Sequence, residues 1–182
     1  MDSHTLKTNE ETEVKIWTDA SRCDTTKLGF FAYRIKIPRF DVDIAYSGTL
    51  GHIEDSNSGE VRAIVMAMKR LHDEGWPLVC DRITLITDSD FSKMLFKQTE
   101  KIKRTAIARF MDILQEFSYL CRIWENFSSM NIEVIKSHSN NKNKKNAEKY
   151  LMNRWCDLEC RRLRKTNLKG REITIDGLNE LR

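Results

Sequence analysis

The chain has 182 residues, a length at which one domain with a substantial hydrophobic core is expected. Apolar residues make up 40% of it and charged residues 32%, which is ordinary for a soluble globular protein and excludes neither an enzyme nor a binding module. No apolar run approaches the roughly 20 residues that span a bilayer. Because the N-terminus also lacks a signal-peptide core, we expect a cytoplasmic protein with no membrane partner.

The cysteines do not form a pattern typical of disulfide or zinc frameworks. Their number is odd and no CxxC pair occurs, so the sequence predicts reduced core or surface thiols. They are Cys23, Cys80, Cys121, Cys156 and Cys160.

The formal net charge of +4 is distributed unevenly along the chain. Segments 97–109 and 136–149 each carry five bases and one acid, and segment 160–171 carries six bases and no acid. Together they sum to +14, which leaves −10 on the remainder. One such run alone indicates a solvated helix face or loop. Three in the second half of a small domain indicate a polyanion-binding side, with a phosphate backbone as the expected polyanion.

The first third of the chain has the period of β-strands. Residues 1–12 are polar, and we expect a flexible N-terminal segment there. "EVKIWT" then alternates with period two, and "LGFFAYRIKI" follows a short polar turn and ends near Pro38, which predicts a hairpin. "DVDIAYSGTL" alternates again and predicts a third strand.

From Glu60 the apolar period changes to that of a helix, with Ser58 as a candidate N-cap and Gly75 as a stop. "RITLIT" predicts a buried fourth strand, which ends at Asp88, and a helix is expected to start at Ser89 or Asp90. A longer helix over 104–126, a strand in "NIEVIKS" and a helix over 147–165 complete the order βββαβααβα. The C-terminal extension 166–182 is left open between an added strand, a partner-binding segment and disorder.

Three acids occupy positions where a buried carboxylate is expected. Asp19 ends the first predicted strand in "KIWTDAS", Asp88 ends the fourth, and Glu60 lies on the helix stripe that faces the sheet. Alone, Asp88 is explained as a helix cap and Glu60 as a partner of the helix dipole, whereas Asp19 requires a cap, a salt bridge or a metal. Together, at strand ends and a helix N-terminus, they form a cluster that is tolerable only with a cation. Hard oxygen ligands favour Mg²⁺ or Mn²⁺, and paired divalent ions serve phosphodiester displacement.

Four segments in order carry a family resemblance: "WTDAS", "SNSGEVRAIVMAM", "LITDSDF" and "VIKSHS…NRWCDLECRRL". Across about Val14 to Leu163 the chain resembles the type 1 ribonuclease H family. The resemblance implies an α/β, ribonuclease H-like fold, with a five-stranded mixed sheet flanked by helices on both faces. The domain would span 13–165.

The resemblance also implies a metal set of four carboxylates for two Mg²⁺ ions, with Mn²⁺ able to substitute. Asp19 would bridge both ions, Glu60 and Asp88 would complete one site and orient the water, and Asp157 the other. Asp157 matches the family pattern through Asn153 four residues earlier, although Arg154 replaces an acid there. It is otherwise explained as the i, i+4 partner of Arg161. His138 matches a mobile histidine that assists product release or proton transfer.

Substrate contacts follow the family pattern less closely. Family members carry an Asn four residues before the helix Glu and a Gln two after the second Asp to read the RNA minor groove. Here Ser56 and Asp90 stand at those positions, with Asn57 as a substitute. The lysine-rich loop before the last helix is expected to track phosphates through Lys142, Lys144 and Lys145.

The function predicted from these residues is hydrolysis of the RNA strand of an RNA/DNA hybrid by a monomeric, metal-dependent endonuclease. Two alternatives stay open. A resolvase- or transposase-like nuclease would keep the fold and metals but act on DNA or structured nucleic acid. A non-catalytic nucleic-acid-binding module would lack a carboxylate, and none of the four is missing.

Overall fold

The computed structural model describes residues 11–96, 111–127, 129–135, 147–166 and 171–173. The described elements follow the predicted order, and a sixth strand is added at the end. In chain order they are β1 Glu13–Arg22, β2 Leu28–Ile37, β3 Val42–His52, α1 Ser56–Asp73, β4 Arg82–Thr87, α2 Asp90–Phe96, α3 Met111–Phe127, β5 Ser129–Val134, α4 Ala147–Thr166 and β6 Arg171–Ile173. Short 3-10 helices lie at Pro38–Phe40 and Trp76–Leu78.

The strands form one mixed sheet in the order β5-β4-β1-β2-β3-β6. β1 pairs antiparallel with β2 and parallel with β4, so it is central, and β4 pairs parallel with β5. The five predicted strands are all present. β6 comes from the extension that the sequence left open, and it pairs antiparallel with β3, with Ile173 opposite Ala45. For these three residues the added-strand alternative is confirmed.

Helices cover both faces of the sheet, as predicted. Alternation along β1 sends Ile16 to the face that carries α1 and α3, and Trp17 to the face that carries α4. The first face holds the larger core, which includes Met68 and Phe117. The second holds a smaller cluster of Trp17, Ala32, Ile86, Ile135, Cys156 and Cys160. None of the helices described by the structure is both long and apolar enough to cross a membrane.

Two predicted boundaries near the acids were wrong. β1 continues to Arg22, so Asp19 lies inside the strand, opposite Ala32 of β2, rather than at its end. α1 begins at Ser56 rather than Glu60, and its N-cap is Asp55, whose carboxylate accepts a hydrogen bond from Ser58 N at 2.8 Å. Ser58 is therefore the third residue of the helix, and Glu60 lies in the second turn.

The predicted stop of α1 agrees with the structure. Gly75 follows the C-cap Glu74 and has φ +80°, a left-handed conformation that glycine adopts without a steric penalty. α2 begins at Asp90, one of the two predicted starts.

Candidate metal centre

Three carboxylates from three different elements meet at one edge of the sheet. Asp19 of β1, Glu60 of α1 and Asp88, which follows β4, each offer an oxygen, and these oxygens lie within 4.8 Å of one another. Asp19 and Asp88 approach because β1 and β4 are parallel neighbours, so that their carboxyl-terminal ends lie at the same edge. Asp19 is only 5% exposed and Glu60 9%.

A single backbone amide holds two of these carboxylates together. Ala20 N–H donates to Asp19 Oδ1 at 2.9 Å and to Glu60 Oε1 at 3.3 Å. The other oxygen of Glu60, Oε2, is buried and has no hydrogen-bond partner among the described residues. A buried oxygen without a partner costs roughly 1–3 kcal/mol, so this atom is suited to bind a cation.

Burial and mutual repulsion perturb both acids. Burial, followed by the charges of Asp88 and Asp157, raises the pKa of Asp19 from 3.8 to about 7, against the opposing hydrogen bond from Ala20 N–H. Burial, followed by the charges of Asp19 and Asp88, raises the pKa of Glu60 well above its usual range. A divalent cation would relieve this repulsion and would supply a partner for Glu60 Oε2. The hard oxygen donors therefore fit Mg²⁺ or Mn²⁺.

The fourth predicted acid lies beside this group rather than in it. Asp157, on α4, is not one of the three carboxylates that meet within 4.8 Å. Arg161 Nε donates to Asp157 Oδ1 at 2.7 Å, which is the i, i+4 pair that the sequence offered as its alternative explanation. Asp157 is nevertheless near enough that its charge raises the pKa of Asp19.

Buried thiols join α4 to the strand that carries Asp19. Cys160 Sγ lies 3.3 Å from the carbonyl oxygen of Asp19, and Cys156 Sγ lies 3.7 Å from that of Trp17. Burial raises the pKa of both thiols, so they are neutral at physiological pH. All five cysteines are free. These two contacts pack α4, the helix that carries Asp157, against β1.

The predicted substrate-contacting residues lie partly within the described structure. Ser56 and Asn57 are exposed in the first turn of α1, one turn before Glu60, and Asp90 is exposed at the start of α2, two residues after Asp88. These three residues are therefore exposed to solvent and close in sequence to acids of the metal centre. The remaining predicted residues, His138, Lys142, Lys144 and Lys145, lie outside the described residues.

The basic segment 160–171, which begins in α4, offers fewer free side chains for phosphate binding than its sequence indicates. Arg162 forms two hydrogen bonds, of 2.6 and 2.9 Å, with Glu159, which is 4% exposed. Glu159 also accepts a hydrogen bond from Ser47 Oγ of β3 at 2.8 Å. Glu159 was not among the predicted residues, although its i, i+3 spacing to Arg162 was a signal in the sequence. Arg164 and Lys165 are exposed.

Comparison with known proteins agrees with this geometry. The family model described as RNase H matches residues 11–160, and no curated protein matches the chain. The N-terminal RNase H domain of Rv2228c from Mycobacterium tuberculosis, solved as a fusion with maltose-binding protein, is a similar structure at a TM-score of 0.57 and 10% identity. That match covers 87% of this chain and 100% of the other.

Two further solved structures share the fold. RNase H1 from the archaeon Halobacterium salinarum has a TM-score of 0.53 and 15% identity, covering 76% of this chain and 97% of its own. LC11-RNase H1, isolated from compost by a metagenomic approach and solved in complex with an RNA/DNA hybrid, has a TM-score of 0.54 and 16% identity, covering 72% and 91%. The sheet order, the three converging carboxylates and the family match over most of its length together place this chain in the RNase H family.

Proposed function

We propose that this protein is a divalent-metal-dependent endonuclease that hydrolyses the RNA strand of an RNA/DNA hybrid. The observation that carries the proposal is the convergence of Asp19, Glu60 and Asp88, two of them buried, in a chain of the RNase H family. The RNA/DNA hybrid seen with the LC11 enzyme supports the choice of substrate.

The four carboxylates would hold two Mg²⁺ ions, for which Mn²⁺ can substitute. When bound, the ions supply Lewis-acid charge, which activates water and stabilises the leaving oxygen of the phosphodiester. Asp19 is the central member of the set. It shares the hydrogen-bond donor Ala20 N–H with Glu60, and the charges of Asp88 and Asp157 both raise its pKa. We assign Asp19 to both ions, Glu60 and Asp88 to one and Asp157 to the other.

The protein contributes position and desolvation. Ala20 N–H fixes one oxygen of Asp19 and one of Glu60, which leaves Glu60 Oε2 for a ligand. Because α1 is packed on β1, these acids are held in place before the substrate arrives, and no folding step is required to assemble them. Water would be oriented for attack by Glu60 and Asp88, and His138 would assist proton transfer or product release.

RNA would be distinguished from DNA through its 2′-hydroxyls. Ser56 and Asn57, exposed one turn before Glu60, and Asp90, exposed after Asp88, are the side chains assigned to these contacts. Asp90 as a carboxylate can only accept a hydrogen bond, which a 2′-hydroxyl can donate. Lys142, Lys144 and Lys145 would bind phosphates.

A second candidate keeps the metal centre and changes the substrate to DNA or structured nucleic acid. It is favoured by Ser56 and Asp90, since neither is the amide that the family resemblance leads us to expect there.

The deciding experiment compares cleavage of an RNA/DNA hybrid, duplex RNA and duplex DNA of one sequence, in Mg²⁺ and in EDTA. We expect the hybrid alone to be cut, only with the metal, and only in its RNA strand. Asp88→Asn should abolish cleavage, whereas Asp24→Asn, at a side chain that is 94% exposed, should not. Equal cleavage of duplex DNA would favour the second candidate, and metal-independent cleavage would contradict both.

A further inference from the structure

The guanidinium of Arg161 is paired with Asp157, the fourth carboxylate assigned to the metal centre. Arg161 lies one helical turn after Asp157 on α4, and its Nε donates to Asp157 Oδ1 at 2.7 Å. The two side chains are 50% and 33% exposed, respectively. This pair forms while Asp19, Glu60 and Asp88 form a separate group without Asp157.

The two parts of the centre therefore differ in electrostatic environment. Asp19 and Glu60 are buried, and no arginine or lysine forms an ion pair with either among the described residues. Asp157 is half-buried and is paired with the positively charged guanidinium of Arg161. A second metal ion at Asp157 must displace Arg161 or bind beside its positive charge.

We propose that Arg161 makes the two metal sites unequal in affinity. The centre then holds one ion tightly, and a second ion binds only by competing with the Arg161–Asp157 ion pair. This inference rests on the proposed function, since it concerns the same carboxylates. The pair is exposed enough to be weak, as i, i+4 pairs on helix surfaces are. Arg161 therefore lowers the affinity for the second ion without excluding it, and it acts as a positioning residue on Asp157.

The competing explanation is that the guanidinium merely adds long-range positive charge. Arg164 provides the matched control, because it is an exposed arginine on the same helix, three residues after Arg161. Removing either charge changes the net charge equally. Of these two arginines, only Arg161 is paired with Asp157 in the part of the chain that the structure describes, so only its removal should free that carboxylate.

The test is a count of Mn²⁺ ions bound by the full-length protein without nucleic acid, by calorimetry and by electron paramagnetic resonance of free Mn²⁺ at fixed ionic strength. We expect one tighter and one weaker site in the unmodified chain. Arg161→Gln should tighten the weaker site by about 3- to 10-fold, the size expected from removing a unit charge close to a divalent ion. Arg164→Gln should change it by less than about 2-fold.

The double variant with Asp157→Asn completes the test. When Asp157→Asn is present, Arg161→Gln should no longer tighten Mn²⁺ binding at the weaker site, because the Asp157 carboxylate that Arg161→Gln would free is absent. Equal effects of Arg161→Gln and Arg164→Gln, a gain that persists with Asp157→Asn, or the absence of a second ion in every variant would overturn the inference. The proposed function fails separately, if the tighter ion is missing or is retained in full by Asp19→Asn.

Discussion

Gly59 of α1 lies directly against Ala20 of β1, at the point where the helix and the strand each carry an acid of the metal centre. A Cβ atom built on Gly59 would lie 3.2 Å from Ala20 Cβ and 3.1 Å from Ile53 Cδ1. Glu60 and Asp19 are the adjacent residues, and Ala20 N–H binds both carboxylates. Because Gly59 has no side chain, α1 can approach β1 closely enough for Glu60 to lie beside Asp19.

Gly59→Val is therefore expected to separate α1 from β1 locally. The free energy of unfolding should fall by about 1–3 kcal/mol, as for an overpacked core position, and the affinity for Mn²⁺ should fall with it. Urea unfolding and Mn²⁺ calorimetry measure the two effects. Met66→Val, at a residue of the same helix that is 41% exposed, controls for the helix propensity of valine and should retain Mn²⁺ affinity. Normal Mn²⁺ affinity in Gly59→Val would show that the contact does not position Glu60.

The metal-free protein should become less stable as the pH rises from about 4 to 7. The native pKa of Asp19, about 7, lies above its ordinary value of 3.8, so the native state holds the proton more tightly than the unfolded chain does over this range. Asp19→Asn removes the ionisation. At pH 8 without divalent ions, it should therefore be more stable than the unmodified protein by about 1–3 kcal/mol.

Mg²⁺ should reverse this order, because only the intact centre gains stability from binding it. Chemical denaturation at several pH values, with and without Mg²⁺, measures both effects. Asp19→Asn should not cleave the hybrid under any of these conditions. Asp24→Asn, at an exposed side chain, should follow the unmodified protein. Unfolding of Asp19→Asn at pH 8 would instead assign Asp19 a structural role.

The sequence predicted the fold well where periodicity was strong. β2 has the predicted bounds, because a run rich in aromatic and β-branched residues is closed by Pro38, and Gly75 ends α1 as expected. The start of α1 was wrong because Asp55 and Ser58 are both good N-cap residues and lie three apart. The structure distinguishes them, because Asp55 has extended backbone angles and accepts the hydrogen bond from Ser58 N.

The convergence of three of the candidate acids was predictable from the sequence, and the position of the fourth was less so. Asp19, Glu60 and Asp88 were placed together because parallel strand ends and a helix N-terminus converge, and the structure brings them together. The pairing of Asp157 with Arg161 was recognised only as an alternative, since local spacing does not reveal how far α4 lies from β4. Glu159 was missed because its partner Ser47 is 112 residues away in sequence.

Glu159 should be important for stability rather than catalysis. Glu159→Ala would leave Arg162 without its carboxylate and buried Ser47 without its acceptor, so unfolding should become easier by about 1–3 kcal/mol. Glu148→Ala is the matched control on α4, because its pair with Lys36 is exposed and should contribute less than about 1 kcal/mol. Thermal unfolding measures both. A smaller loss for Glu159→Ala than for the control would exclude a structural role for the Glu159 network.

The lysine-rich loop should determine how hybrid binding responds to salt. Replacing Lys142, Lys144 and Lys145 by Gln should weaken binding and flatten the plot of log affinity against log salt concentration. On B-form duplex, the slope falls by up to about 0.9 unit for each phosphate that the protein no longer neutralises. Lys15→Gln, on β1 four residues before Asp19, should leave the slope unchanged. Fluorescence anisotropy in Ca²⁺ measures the slope. An unchanged slope in the triple variant would place these lysines in solvent.

The last prediction separates the two nuclease functions by changing the substrate's sugars while keeping its charge. In a hybrid whose RNA strand carries a few consecutive deoxyribonucleotides, cleavage should be abolished at and near the replacement, while affinity falls only slightly. The phosphates are unchanged, so electrostatic binding persists. The 2′-hydroxyls that position the strand over Asp19, Glu60 and Asp88 are removed, and a small misplacement at a metal centre costs rate far more than affinity.

Asn57→Ala provides the complementary change on the protein. It should reduce kcat on the uniform hybrid and leave Mn²⁺ affinity intact, because Asn57 is exposed in the first turn of α1 and the carboxylate group does not include it. Asn131→Ala, at an exposed asparagine of β5, is the matched control and should have normal kcat. If the all-DNA duplex is cut as readily as the hybrid, and Asn57→Ala affects both equally, then no 2′-hydroxyl is being read. The resolvase-like function would then replace the ribonuclease, with the same carboxylates still holding the metals.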